Sequence, residues 1–301
     1  AYPLGEVGAG PNPGLKQMMD QVNISRLSHG FRAAGMMRRC LNEAMTVARG
    51  RIAFGDYIIN KPLLRRQLMK LTVPTEQVLS MVLFAAGQLH LAEQGDERAQ
   101  RVARILTPLI KFRSARDNIK VATGAMEVRG GNGYIEDWIN ARLVRDAHLG
   151  VLWEGTSNIN ALDVITRAVA KVGAHEDLAD ELRRRLDDTS DLTEEFRSEL
   201  SSLITQAFAF AEEVSTGDES LSRQAADAIY NTTSAVLLAC EGAALGATGG
   251  DARRLIYARM VVDHRLQPRN PLSAGPSDDA LTDAVLGESI VDLETATALV
   301  S

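Results

Sequence analysis

The chain has 301 residues, 45% of them hydrophobic and 24% charged, with a formal charge of −6; these are ordinary values for a globular protein of one large or two modest domains. No apolar run approaches the roughly 18–20 residues that cross a bilayer. The two cysteines, Cys40 and Cys240, are far apart and no CxxC or Cys/His cluster occurs, so neither a disulfide framework nor a metal site is expected and a reducing, cytoplasmic setting is.

The opening residues Ala1 to Pro11 read as a turn-rich strand end, the start of a piece or a processed product. From Asn23 to Arg49, apolar residues at Ile24, Leu27, Phe31, Ala34, Leu41, Met45 and Ala48 predict a helix with one buried stripe and Asn23 as its N-cap. Arg38 interrupts that stripe and either snorkels or meets a partner. A second helix is predicted over about 62–92, with Pro62 in its first turn and a kink or break at Pro74. A third runs from Asp96, a candidate cap, to Val128. Three helices this long with short joins favour an antiparallel bundle.

Gly130-Gly131-Asn132-Gly133-Tyr134 breaks the pattern. A fourth helix starts near Thr156, with Ile159, Leu162, Ile165 and Val169 in step. Further helices are predicted at roughly 176–187, 191–215, 219–247 and 251–264. A proline-rich loop follows, then one or two short helices over 279–300. No run of period-two strands is seen beyond residue 10. Charge divides the chain: residues 1–172 hold 23 Lys and Arg against 15 Asp and Glu, and residues 173–301 hold 10 against 24. Such a break often marks a functional boundary.

Four segments carry more than packing. Arg51-Ile52-Ala53-Phe54-Gly55 follows the first long helix, and Gly55 reads equally as a helix stop. Glu127 to Tyr134 has three glycines in four positions, more than a helix end needs, and permits close backbone approach to something flat or phosphorylated. It is no dinucleotide fingerprint, because no strand precedes it. Arg142 to Ala147 fits an ordinary ion-paired helix. In Trp153-Glu154-Gly155-Thr156-Ser157-Asn158 a carboxylate stands between an indole and a helix start, as a capping group or a general base.

In this order and spacing the four segments resemble the acyl-CoA dehydrogenase superfamily, through R-x-x-F-G, x-x-x-G-G-x-G-Y, R-D-A and E-G-T. The resemblance covers residues 1–172. It implies an all-α fold: the end of a middle β-domain at 1–20, a four-helix bundle at 21–172, and an additional acidic helical region at 173–301. It also implies an oxidoreductase in which Glu154 removes the α-proton of an acyl-CoA while FAD takes the β-hydride, giving a trans-2-enoyl-CoA. Arg51, Phe54, Glu127, Gly130, Gly131, Thr156 and Asn158 would bind FAD, the first five across a subunit interface. Asn23, Arg26 and Gly155 would bind the substrate. A homodimer or homotetramer and an electron-transferring flavoprotein as acceptor are the family expectation.

The sequence departs from the family pattern in three places. Glu127 and Asn158 stand where glutamine is usual, and Pro62 replaces another glutamine. With Trp153 and the extra helical region, these resemble the branch holding the bacterial alkylation-response acyl-CoA dehydrogenase-like proteins. Their theme of DNA binding needs a basic C-terminal region, and this one is acidic, so DNA binding is disfavoured. Family members also carry an N-terminal helical domain and a β-domain that beds the flavin; without them little activity is expected. Two other readings are a weakly catalytic stress-response or binding protein and a helical interaction module without cofactor.

Overall fold

The computed structural model describes residues 13–268, 270, 272–273, 275 and 278–301. Three long helices form its base: α1 (Pro13–Gly50), α2 (Pro62–Glu93) and α3 (Glu97–Arg129). The α1 stripe buries Leu27, Ala34, Met37, Leu41, Ala44 and Ala48 at helical spacing, whereas Ile24 and Phe31, expected in it, are exposed. Asp96 caps α3 by accepting from the Ala99 N–H at 2.9 Å.

Four expectations need correction. The first helix begins at Pro13, so Asn23 lies in mid-helix and is not a cap. Residues 13–20 are helical, and the rest of the expected β-domain edge lies outside the described residues. Pro74 does not break α2. Thr72 and Thr75 Oγ1 donate to the Leu68 and Leu71 carbonyls on either side of it, and packing on α3 and α8 holds the helix together. A two-residue hairpin also escaped notice: β1 (Ile52–Ala53) pairs antiparallel with β2 (Asp56–Tyr57). Strands this short carry no periodicity.

After Gly130 come α4 (Ile139–Leu149) and α5 (Ser157–Leu162), the latter continued by a π-helical turn over Asp163–Val169. The second half contains α6 (Ala174–Asp187), α7 (Glu194–Thr216), α8 (Ser222–Ala247), α9 (Arg253–Val261) with a π turn to Leu266, α10 (Asp279–Leu286) and α11 (Leu293–Val300). The fold is thus all-α, a long-helix bundle followed by smaller helices.

One apolar core runs through both halves, from Leu27 to Val300. Polar contacts cross the junction. Gln77 donates to Asn231 Oδ1 and Ser234 Oγ. Glu76 accepts from Arg38 at 2.5 Å and Arg254 at 3.1 Å, and Glu241 accepts from Ser80 and Arg254. Arg38 therefore interrupts its stripe to meet a buried carboxylate. Among the described residues no helix is long and apolar enough to cross a membrane.

Candidate functional site

The chain brings the marked residues together in two groups. The first surrounds Glu154, in the loop between α4 and α5. Its backbone has φ +56°, uncommon for a residue with a side chain, and Gly155 follows at φ +90°. A Cβ at Gly155 would meet Asn160 Nδ2 at 3.1 Å and Ile159 Cγ2 at 3.3 Å, so this position requires glycine twice over. Asn160, fully buried, holds the strained loop by donating from Nδ2 to the carbonyls of Glu154, Gly155 and Thr156 at 3.4, 2.7 and 3.0 Å.

The middle of α1 faces this loop. Ser25 Oγ donates to Glu154 Oε1 at 2.8 Å and Arg26 Nε donates to the Glu154 carbonyl at 3.3 Å. Arg26 also donates to Asn23 Oδ1 at 3.3 Å and pairs with Asp163 at 2.6 Å. Asp163, 4% exposed, pairs with Arg104 at 2.6 Å as well. Burial alone would raise the Asp163 carboxyl, but hydrogen bonds and charge from Arg104 and Arg26 outweigh it and hold it below the ordinary carboxylate range. Glu154 Oε2 and the Glu154 N–H have no hydrogen-bond partner among the described residues.

Beneath the loop lies Lys111 of α3, 1% exposed. Its Nζ donates to the Gly150 carbonyl at 2.7 Å and the Gly155 carbonyl at 3.4 Å, tying the two ends of the loop. Burial pushes its amine down to about 8, against the pull of Glu154 and with the push of Arg26. The folded state therefore favours neutral Lys111, and between pH 8 and 10.5 the unfolded chain binds more protons. Stability from this group is expected to rise with pH across that window. Lys111→Met should remove the rise; equal slopes for parent and variant in urea titrations at pH 8, 9 and 10 would count against it.

Trp153 Nε1 donates to His29 Nδ1 at 3.1 Å and Arg32 lies 4.9 Å over its ring. Burial, then Lys111 and Arg32, push His29 down to about 4, so near neutral pH it is uncharged and accepts this bond.

The second group gathers at the far end of α1. The hairpin turn is Phe54-Gly55, with φ +55° and +80°. Two positive values give the tight turn that matches strand twist, and Gly55 serves it, not a helix end. Phe54 is 94% exposed in a backbone conformation that disfavours it. Arg51 Nη1 donates to the Arg129 carbonyl at 3.3 Å and lies 3.3 Å from where a Gly130 Cβ would stand. Glu127 accepts from Gln67 at 3.0 Å. Nothing stands within 4 Å of a Cβ built on Gly131.

An exposed aromatic, a cation and an open glycine edge suit a flat ring and a phosphate, so these residues fit a dinucleotide cofactor. Phe54→Asn should raise stability by about 1 kcal/mol, because Asn-Gly suits this turn, while FAD retention in the assembled holoprotein falls. A melting curve and a flavin-to-protein ratio measure both; a lower melting temperature would refute the strain argument.

Thr156 and Asn158 are exposed at the start of α5, and the Thr156 hydroxyl makes no capping bond. Arg145 pairs with Glu136 at 2.5 Å, as an ordinary surface ion pair does. Sequence reasoning missed Ser25, Arg104, Lys111, Asn160 and Asp163. Lys111 left a signal, a lysine inside the apolar run Leu109-Ile110-Phe112.

Residues 12–170 match the acyl-CoA dehydrogenase C-terminal domain. The chain is 31% identical over 175 residues to the 3-methylmercaptopropionyl-CoA dehydrogenase of Ruegeria pomeroyi, covering 54% of this chain and 30% of that protein. It is 29% identical over 171 residues to the putative acyl-CoA dehydrogenase AidB of Escherichia coli, covering 56% and 30%. Its fold is similar to that of an acyl-CoA dehydrogenase of Bacillus anthracis solved in complex with FAD, with a TM-score of 0.59 and 15% identity over 93% of this chain and 55% of that one. The chain thus spans under a third of the length of these two curated relatives. The chain belongs to the acyl-CoA dehydrogenase family and carries the family's C-terminal domain.

Proposed function

We propose that this chain supplies the general base and part of the FAD site for the α,β-dehydrogenation of an acyl-CoA to a trans-2-enoyl-CoA. The observation that carries it is the state of Glu154. One carboxylate oxygen is held by Ser25 and the other has no partner among the described residues. Oε2 is then the atom that takes the α-proton. The Glu154 N–H, likewise unpartnered among the described residues, would donate to the thioester carbonyl as negative charge develops there. FAD, when bound, would supply the acceptor for the β-hydride.

The chain's own residues bind and orient. Asn23, Arg26 and Gly155 would bind the substrate, while Lys111 and Asn160 fix the loop. Thr156 and Asn158 would meet the flavin of their own subunit. Arg51, Phe54, Glu127, Gly130 and Gly131 would meet the flavin of a neighbour in a homodimer or homotetramer. Reoxidation then falls to an external acceptor such as an electron-transferring flavoprotein.

The test is to reconstitute the chain with the N-terminal and β-domains of its own protein and add acyl-CoA. Bleaching of the visible flavin band is expected. A flavin band that acyl-CoA leaves unchanged would favour a weakly catalytic binding protein, and no flavin band would favour a cofactor-free helical module.

A further inference from the structure

A cleft of about 370 Å³ opens between α3, the loop after α4 and the first turn of α8. Three cations line it: Arg116 and Lys120, one helical turn apart on α3, and Arg223 of α8. Thr156 and Asn158 stand on its rim. None of the three cations makes an ion pair or hydrogen bond with another described residue. Two more cations lie close, Arg113 and Arg265, each felt by Lys120.

Two nearby carboxylates, Asp117 and Asp227, do not balance them. Both are engaged by Arg113, at 2.7 Å and 2.8 Å. The neighbourhood therefore holds five cations against two acids. Burial, then repulsion from Arg223 and Arg113, pushes the Arg116 guanidinium down from its ordinary value. Cations gathered in one concavity in excess of their countercharge cost stability and are relieved by an anion. Two planar forks and an ammonium suit a phosphate ester, which accepts several charge-assisted bonds at once.

We infer that this cleft binds a phosphate ester, the chemistry shared by FAD and coenzyme A, and that Arg223 of the acidic second half is one of its binding residues. The choice between these two ligands rests on the proposed flavin site, because Thr156 and Asn158 belong to both. The acidic half thus reaches into the nucleotide site with one of its few arginines.

Inorganic pyrophosphate is the probe, titrated calorimetrically into the 301-residue chain at low salt. One saturable site is expected, weakened about tenfold or more in Arg223→Gln and in Lys120→Gln. Arg142→Gln, on an exposed face of α4, should bind as the parent does. Arg223 and Lys120 are exposed, so both variants should fold, and circular dichroism checks this. Non-saturable binding, or variants that bind like the parent, would overturn the site. Displacement of pyrophosphate by FAD assigns the site to the cofactor, displacement by coenzyme A assigns it to the substrate, and displacement by neither overturns it. The dehydrogenase reading fails separately: pyrophosphate binding lost in Arg223→Gln, with no acyl-CoA bleaching in the reconstituted parent, sustains the cleft and sinks that reading.

Discussion

Glu154→Gln in the reconstituted holoprotein is expected to slow acyl-CoA-dependent flavin bleaching by about 10²–10⁴-fold, the usual contribution of a positioned general base. The substitution keeps size and shape. Gln Oε1 can still accept from Ser25 Oγ, and the backbone bonds from Arg26 and Asn160 are untouched. Only the proton-accepting oxygen is lost. Flavin content and melting temperature should therefore match the parent, which separates a chemical defect from a folding one. A variant that bleaches as fast as the parent would remove Glu154 from the mechanism. Ser25→Ala should cost less, because it frees Oε1 without removing the carboxylate.

Asp163→Asn is expected to destabilise the chain most, by about 3–5 kcal/mol, the range seen when one partner of a buried ion pair is removed. Asp163 is 4% exposed and lies between Arg26, 4% exposed, and Arg104. An amide keeps the shape but leaves two guanidiniums facing one another without countercharge. The melting temperature should fall by roughly 5–15 °C. Its pH dependence carries a sign. The Asp163 carboxyl is held below its ordinary value in the folded state, so its stabilisation is complete above about pH 4 and is lost as pH falls through the folded pKa. The gap between parent and variant should therefore narrow in acid. A constant gap from pH 7 to pH 3 would show that packing, not charge, is lost. The effect should reach the base as well, because Arg26 also holds the Glu154 carbonyl.

The helices were legible because each long one repeats a buried stripe over many turns, as Leu27, Ala34 and Leu41 do in α1. The motif residues were legible because their glycines and charges have no packing reason to occur in that order. What was not legible depends on distance. Ser25 and Lys111 meet Glu154 or its loop, and Asp163 meets Arg26 and Arg104, from separate segments, and no local pattern announces such a meeting. The hairpin hid because two-residue strands have no period. Pro74 does not end α2, because tertiary packing outweighs the loss of one backbone bond.

The junction between the two halves has a consequence in time. Gln77 waits for Asn231 and Ser234, and Glu76 waits for Arg254, partners 154 to 178 positions downstream. At roughly 5–20 residues per second of synthesis, α2 stands with those groups uncovered for roughly ten to thirty seconds before α8 and α9 exist. During that interval the nascent chain displays a half-made core with polar groups set inside it, a surface suited to a chaperone. The long-range seam makes this protein a late closer, whose final packing step must follow release of its second half from the ribosome.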